Sequence, residues 1–258
     1  MIDAFVRRLR DVPRRAAPLR AERRRISREL AAADRGTVLR VALALIVEGI
    51  PRFVAYEIVL FHQPTLETLG PSDIMRLSRG LQHWGDIDSF ACFITGPAWR
   101  AGRVSDARVR KWTQSRDWVW RRVAAVSTVP LNSRARGGAG DPKRTLTICR
   151  ALLADPHDLV QKALSWALRE LAKRDPNSVR EFLGANRARM SARVHREVQN
   201  KLASGRKDVR ASAERQSRPD RSSPRPRMTS RTCFVLGFIS CWISRKADAL
   251  VPGRPPLR

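Results

Sequence analysis

Apolar positions between about residue 38 and residue 202 recur every three or four residues, the spacing that places them on one face of an α-helix. No segment alternates apolar and polar residues in the way a half-buried strand does. Breaks rich in proline, glycine and aspartate separate the periodic stretches, each of which is roughly 10 to 18 residues long. The pattern predicts helices at residues 38–48, 51–62, 72–81, 87–94, 105–115, 118–126 and 142–154.

The helix with the clearest pattern is predicted at residues 155–173. Asp155 can cap its first turn, and Pro156 fits a first-turn position, where the missing N–H is not needed. The same start signal returns at Asp175 and Pro176 and predicts another helix there. Two helices joined by a short turn are the unit from which helical solenoids are stacked.

The predicted fold class is therefore all-α, with HEAT-like antiparallel helical repeats that form a curved solenoid. The predicted domains are a basic N-terminal helical segment at residues 1–36, the repeat domain at residues 37–203 and a basic tail at residues 204–258. Serine, proline and arginine are interleaved in the tail, as in the stretch RSSPRPR, which is a composition typical of disorder.

The charge of the chain indicates a polyanionic partner. It carries 51 lysines and arginines against 24 acidic residues, a formal net charge of +27, and most of the cations are arginines. Arginine binds phosphate through two parallel hydrogen bonds and stacks on flat rings, so the excess favours nucleic acid. A GC-rich coding sequence would also replace lysine by arginine, but it would not produce the net charge.

The four cysteines, Cys92, Cys149, Cys233 and Cys241, form no CxxC pair, which argues against a zinc site and a disulfide framework. The arginine-rich N-terminus has no apolar run of signal-peptide length, and residues 233–243 are about half a membrane span. We therefore expect a cytoplasmic, nucleoid-associated monomer that uses no metal or other cofactor and does not enter a membrane.

The first group of candidate functional residues lies on the predicted helix at residues 155–173. Lys162, Trp166, Arg169 and Lys173 stand three or four residues apart, opposite the apolar stripe, and share one face. Cations around one tryptophan offer charge to phosphates and a flat ring to a sugar or base. In the alternative interpretation the helix is merely solvated, and Trp166 fills a groove between repeats.

A second group precedes the predicted helix at residues 87–94. Trp84 and Asp88 are four residues apart and would share one helical face, which places a carboxylate beside an aromatic ring. The alternative is that Asp86 or Asp88 is simply the N-cap of the following helix.

A third group is the run Trp118, Trp120, Arg121 and Arg122, followed by an apolar stretch. Adjacent helical residues cannot both face the core, so at least one of the two arginines is expected to point to solvent or to a ligand.

The three groups together resemble a known family. The segments HWGDID (83–88), WVWRRVAAVSTVPL (118–131) and LVQKALSWALRELAKRDP (159–176), in this order and at these separations, are similar to motifs of the AlkD-like DNA alkylation repair family. Its members consist of HEAT-like repeats curved around duplex DNA, and those characterised excise cationic alkylated bases such as 3-methyladenine and 7-methylguanine. The resemblance covers residues 38–202 and implies a DNA glycosylase that acts on alkylated double-stranded DNA.

The resemblance also implies roles for single residues. It makes Asp88 the catalytic carboxylate, and it places Trp84 and Trp166 around the damaged nucleotide. It assigns DNA contacts to Arg122 and Arg169, with Lys162 and Lys173 on the same helical face as Arg169.

Among the departures of the sequence from the family pattern, two bear on the candidate site. The WxxR spacing of the family is met by Trp118 with Arg121, so Arg121 and Arg122 both remain candidates for the DNA contact. Asp158 and Leu159 stand where the best-known branch has aromatic residues. A non-catalytic HEAT-like protein that binds nucleic acid, or an adaptor, therefore stays open as the alternative function.

Overall fold

The computed structural model describes residues 1–208, and within that range it contains helices and turns but no strand. In chain order the α-helices are α1 (Ile2–Asp11), α2 (Ala16–Glu29), α3 (Arg35–Val47), α4 (Arg52–Phe61), α5 (Gln63–Glu67), α6 (Pro71–Leu77), α7 (Trp84–Phe90), α8 (Gly96–Arg100), α9 (Asp106–Thr113), α10 (Trp118–Ser127), α11 (Val129–Asn132), α12 (Pro142–Ala151), α13 (Asp158–Leu171), α14 (Pro176–Asn186) and α15 (Ala192–Ser204). A π-helical turn, Ala91–Thr95, joins α7 to α8. The all-α prediction is confirmed.

The helices pack in pairs, and the pairs are stacked. Within pairs, α1 packs on α2, α3 on α4, α9 on α10 and α12 on α13. Between pairs, contacts run from α2 to α4, then to α7, α10, α13 and α15. These six helices form one row, the main row, in which each helix is flanked by its counterparts from the neighbouring pairs. This stacking of pairs is the repeat arrangement that the sequence predicts.

The predicted helices are present with shifted ends, and one predicted cap is wrong. Asp175 is the N-cap of α14 as expected, and its Oδ1 accepts the N–H of Ser178 at 3.0 Å. The preceding long helix, in contrast, begins at Asp158 with His157 as its N-cap. Asp155 does not cap it, because its carboxylate forms an ion pair with Arg121 of α10 instead.

The N-terminal helices continue the same core. The apolar side chains Leu9, Leu19 and Leu30 are buried and belong to the main hydrophobic cluster. Glu57 of α4 forms ion pairs with Arg20 and Arg23 of α2, which ties the first pair of helices to the second. The segment at residues 1–36 is thus packed onto the repeats that follow it.

Two further predictions concern the C-terminal tail and the absence of a membrane-spanning segment. From residue 209 onward the predicted tail, with Cys233 and Cys241, lies outside the described residues. Within the described range, no helix has the length and apolarity needed to cross a membrane.

Candidate active site

Asp88 and Arg122 form a buried ion pair between α7 and α10. Nε of Arg122 donates to Oδ1 of Asp88 and Nη2 donates to Oδ2, both at 2.8 Å. Each residue is only 5 % exposed. Two parallel charge-assisted hydrogen bonds fix the plane of the carboxylate as well as its position.

The third nitrogen of Arg122 connects this pair to the next helix of the main row. Nη1 donates to the backbone carbonyl oxygen of Leu159, in the first turn of α13. Arg122 therefore joins α7, α10 and α13, and each of its three guanidinium nitrogens has a partner inside the protein. Three of its five N–H donors are thus engaged inside the protein, two of them by Asp88, so its position is suited to holding that carboxylate.

Burial and charge act on Asp88 in opposite directions. Burial raises the pKa of Asp88 above its ordinary value, while the charge and the hydrogen bonds of Arg122 oppose that rise. A buried carboxylate is tolerated when a cation compensates for the lost hydration. Two donors of Arg122 match the two acceptor oxygens of Asp88, which is the geometry of an ionised pair.

Trp84 lies one turn before Asp88 on α7, so the two side chains share a helical face, as the sequence predicts. The ring of Trp84 is half-buried. The N-cap of α7 is His83, whose Nδ1 accepts the N–H of Gly85 at 3.2 Å. The alternative in which Asp86 or Asp88 caps a helix is wrong, because both aspartates lie inside α7.

The polar face of α13 presents the predicted cations and its tryptophan. Trp166 is half-buried and packs against the main hydrophobic cluster, which leaves part of its ring exposed. Lys162 is exposed and forms an ion pair with Asp158, which is exposed too, and a pair of this kind is weak and opens easily. Lys173, two residues beyond the end of α13, is also exposed, but its partner Glu170 is buried.

Arg169, on the same face, lies beside Glu197, a residue that the sequence analysis does not single out. Buried Glu197 of α15 accepts a hydrogen bond from Ser165 at 2.5 Å, and its Oε2 lies 4.0 Å from Nε of Arg169. That Nε donates to the hydroxyl of Ser165 at 3.2 Å. Within residues 1–208 the two terminal nitrogens of Arg169 make no hydrogen bond, so they can accept a phosphate as partner.

These residues fall within the match to a known protein family. The profile of the DNA alkylation repair enzyme family matches residues 20–202, which is well over half of the chain. The chain belongs to the DNA alkylation repair enzyme family. No curated protein matches it.

In this member of the DNA alkylation repair enzyme family, the two adjacent arginines of α10 have different partners. Nε and Nη2 of Arg121 donate to the two oxygens of Asp155, at 2.6 and 3.3 Å. Its Nη1 donates to the backbone carbonyls of Ser115 and Arg116. Both Arg121 and Arg122 are thus engaged inside the protein, which differs from the expectation that one of them faces solvent or a ligand.

The described part of this repair-family protein shows no cluster of three histidine, cysteine or acidic side chains that could hold a metal ion. Cys92 and Cys149 are both buried free thiols.

Proposed function

We propose that the protein is a DNA glycosylase that releases cationic alkylated purines, such as 3-methyladenine and 7-methylguanine, from duplex DNA. The observation that carries the proposal is the Asp88–Arg122 pair. It holds a single carboxylate in a fixed plane, on a protein whose net charge of +27 attracts DNA. Membership of a DNA alkylation repair family supports the choice of substrate.

The charge of the substrate explains why a carboxylate is needed. A purine alkylated at a ring nitrogen is positively charged, which weakens its bond to the deoxyribose. As that bond breaks, its electrons pass to the base, which leaves uncharged, and positive charge develops on the sugar. A fixed negative group stabilises this cation because it does not have to reorganise during the reaction.

Asp88 also has a role in the addition of water. The water molecule that adds to the sugar must lose a proton, and Asp88 accepts it as a general base, a contribution of about 10² to 10⁴-fold. Each carboxylate oxygen has a second lone pair beyond the one that Arg122 occupies, so the ion pair leaves acceptor capacity. Arg122 in this scheme orients Asp88 rather than touching the reacting atoms.

Trp84 and Trp166 stand on the helices to either side of α10, and the proposal assigns them to the damaged nucleotide. An aromatic face attracts a cationic base or sugar by about 0.5 to 2 kcal/mol, depending on desolvation. Lys162, Lys173 and the terminal nitrogens of Arg169 would bind phosphates along α13.

A non-catalytic nucleic-acid-binding or adaptor protein of the same fold is the second candidate. The low exposure of Asp88 favours it, because the free protein presents little of this carboxylate to a ligand. The two candidates differ in one measurable property, which is the release of a base.

The test uses methylated duplex DNA and chromatographic counting of the released bases. The wild type should release 7-methylguanine or 3-methyladenine, and Asp88→Asn should reduce release by at least about 10²-fold while still binding the duplex. Glu57→Gln is the matched control, because it disrupts another buried carboxylate–arginine cluster of the main row, between α2 and α4. It should retain base release.

Thermal unfolding of both variants shows whether they remain folded at the assay temperature. Equal release by Asp88→Asn and the wild type would remove Asp88 from the mechanism. A wild type that binds DNA but releases no base from several lesions would favour the non-catalytic candidate.

A further inference from the structure

The helix that carries Trp166 begins with a histidine cap. His157 is the N-cap of α13, and its ring Nδ1 accepts the N–H of Leu159 at 3.3 Å. An imidazole nitrogen can accept this hydrogen bond only while it carries no proton. The usual N-cap residues, serine, threonine, aspartate and asparagine, have no such condition near neutral pH.

The orientation of this imidazole is fixed from two sides. The ring stacks on Trp118, the first residue of α10, with 4.4 Å between centroids and an angle of 3° between planes. The backbone N–H of His157 donates to Oδ1 of Asp155 at 2.9 Å, and Asp155 is itself held by Arg121. The ring is therefore presented edge-on to the first turn of α13 with Nδ1 toward Leu159.

Leu159 connects the histidine cap to the candidate active site. Its N–H is bound by His157, and its carbonyl oxygen accepts a hydrogen bond from Nη1 of Arg122. Arg122 in turn holds both oxygens of Asp88. A displacement of the first turn of α13 therefore reaches the carboxylate through a single arginine.

We propose that His157 is a positioning residue for Asp88 and holds it in the working orientation only while its imidazole is neutral. The inference rests on the proposed function, because base release is the reaction for which Asp88 is oriented. When Nδ1 takes a proton from solvent, it becomes a donor that faces the N–H of Leu159. The cap is then lost, the carbonyl of Leu159 moves relative to Arg122, and the carboxylate loses its fixed plane.

Other charged groups surround His157, and they define the controls. The charged side chains on the elements that His157 contacts are Asp117, Arg121 and Arg122 at α10 and Asp155, Asp158 and Lys162 at α13, with Arg193 of α15 bound to Asp158. The acids among them are already engaged: Asp155 by Arg121, Asp158 by Arg193, and Asp117 as the cap of α10. One further histidine adjoins the site, His83, which caps α7 in the same way.

The experiment measures kcat and KM for base release between pH 5 and pH 9. His157→Asn keeps a side-chain acceptor at the cap but does not titrate, whereas His157→Ala removes the acceptor. In the wild type, kcat should fall at the low-pH end of this range, once the imidazole of His157 is protonated. His157→Asn should lose this fall and keep kcat at pH 8 within about threefold. His157→Ala should lower kcat by about 10- to 10²-fold at pH 8 and approach the wild type at low pH, where the wild type has also lost the cap, with little change in KM.

Two control variants make the interpretation specific. His195→Asn alters the histidine of α15, which contacts Arg187 rather than a cap, and should leave the pH profile unchanged. If the fall of kcat persists in His157→Asn, or disappears in His83→Asn instead, the inference is overturned. A purely structural role for His157 would lower activity in both substitutions without changing the pH profile.

The inference and the proposed function can fail separately. A wild type without base release refutes the proposed function, and base release that ignores His157 refutes the inference alone. In either case NMR of the imidazole nitrogens and hydrogen exchange of the Leu159 amide test the cap directly. We expect the Leu159 amide to exchange faster once Nδ1 of His157 is protonated. An exchange rate that does not respond to this protonation overturns the cap mechanism itself.

Discussion

Removing one charge of the Asp88–Arg122 pair should destabilise the protein far more than removing both. The two side chains are each 6 % exposed, so neither charge can regain its hydration when its partner is lost. Arg122→Met leaves a buried carboxylate, and Asp88→Leu leaves a buried guanidinium. Loss of one member of a buried pair costs about 3 to 5 kcal/mol. In the double variant both charges are absent, and stability should return to within about 1 kcal/mol of the wild type.

The cost of Arg122→Met should also depend on pH in a defined direction. Burial raises the pKa of Asp88, and the charge and hydrogen bonds of Arg122 are the largest effects that oppose this rise. Without Arg122, the pKa of Asp88 in the folded protein should therefore be higher still. A carboxyl group whose pKa is raised in the folded state binds a proton more tightly there than in the unfolded state, so lowering the pH increases the free energy of unfolding. The destabilisation relative to the wild type should therefore shrink as the pH is lowered.

Urea unfolding of the wild type, both single variants and the double variant gives the coupling energy of the pair. The exposed ion pair between Arg10 and Glu48, whose side chains are 52 % and 44 % exposed, serves as the control. Its coupling should be about 0 to 1 kcal/mol. A coupling of that small size for Asp88 and Arg122 would refute the reasoning, because it would mean that the pair is solvated. The double variant should be folded and should release no base.

Three other predictions test separate parts of the structure. Lys162→Ala and Lys173→Ala should each weaken duplex binding and lower the slope of log K against log salt by about 1, measured by fluorescence anisotropy. Gly96→Ala should lower the free energy of unfolding by about 1 to 3 kcal/mol in urea, because the new Cβ would lie 2.8 Å from the carbonyl oxygen of Ser127. Burial raises the pKa of Cys92 to about 11, so mass spectrometry should find this thiol modified by an alkylating reagent only after unfolding.

Local sequence signals were sufficient for several of the helices of this protein. The spacing of apolar residues predicts α3, α4, α10 and α12, because each of these helices buries one face against its neighbours. The same signals failed at the start of α13, where Asp155 has the character of a cap but lies beside Arg121 of another repeat. A local rule does not include a partner that arrives from a distant part of the chain.

The partners of the site residues could not be predicted from short motifs. The number of residues between the two members of each pair, however, is close to the length of one repeat. The separation along the chain is 34 residues for Arg122 with Asp88 and also for Arg121 with Asp155. For Ser165 with Glu197 it is 32 residues. In stacked repeats, residues one repeat apart lie side by side, so polar pairs at about this separation are the signal that a sequence search could use.

The same inter-repeat pairing affects which cationic side chains are available to DNA. Along the main row, Arg121, Arg122 and Arg23 are buried or half-buried and form ion pairs with carboxylates of a neighbouring repeat, so their charge is already compensated. The pair of Lys162 with Asp158 is exposed on both sides and weak, so a phosphate can replace Asp158 at little cost, whereas Glu170, the partner of Lys173, is buried. DNA binding should therefore open the pair between Lys162 and Asp158 and leave Asp88 bound to Arg122. Under the proposed function, the net charge draws DNA to the protein, while Arg122 keeps the carboxylate of Asp88 in the orientation that base release requires.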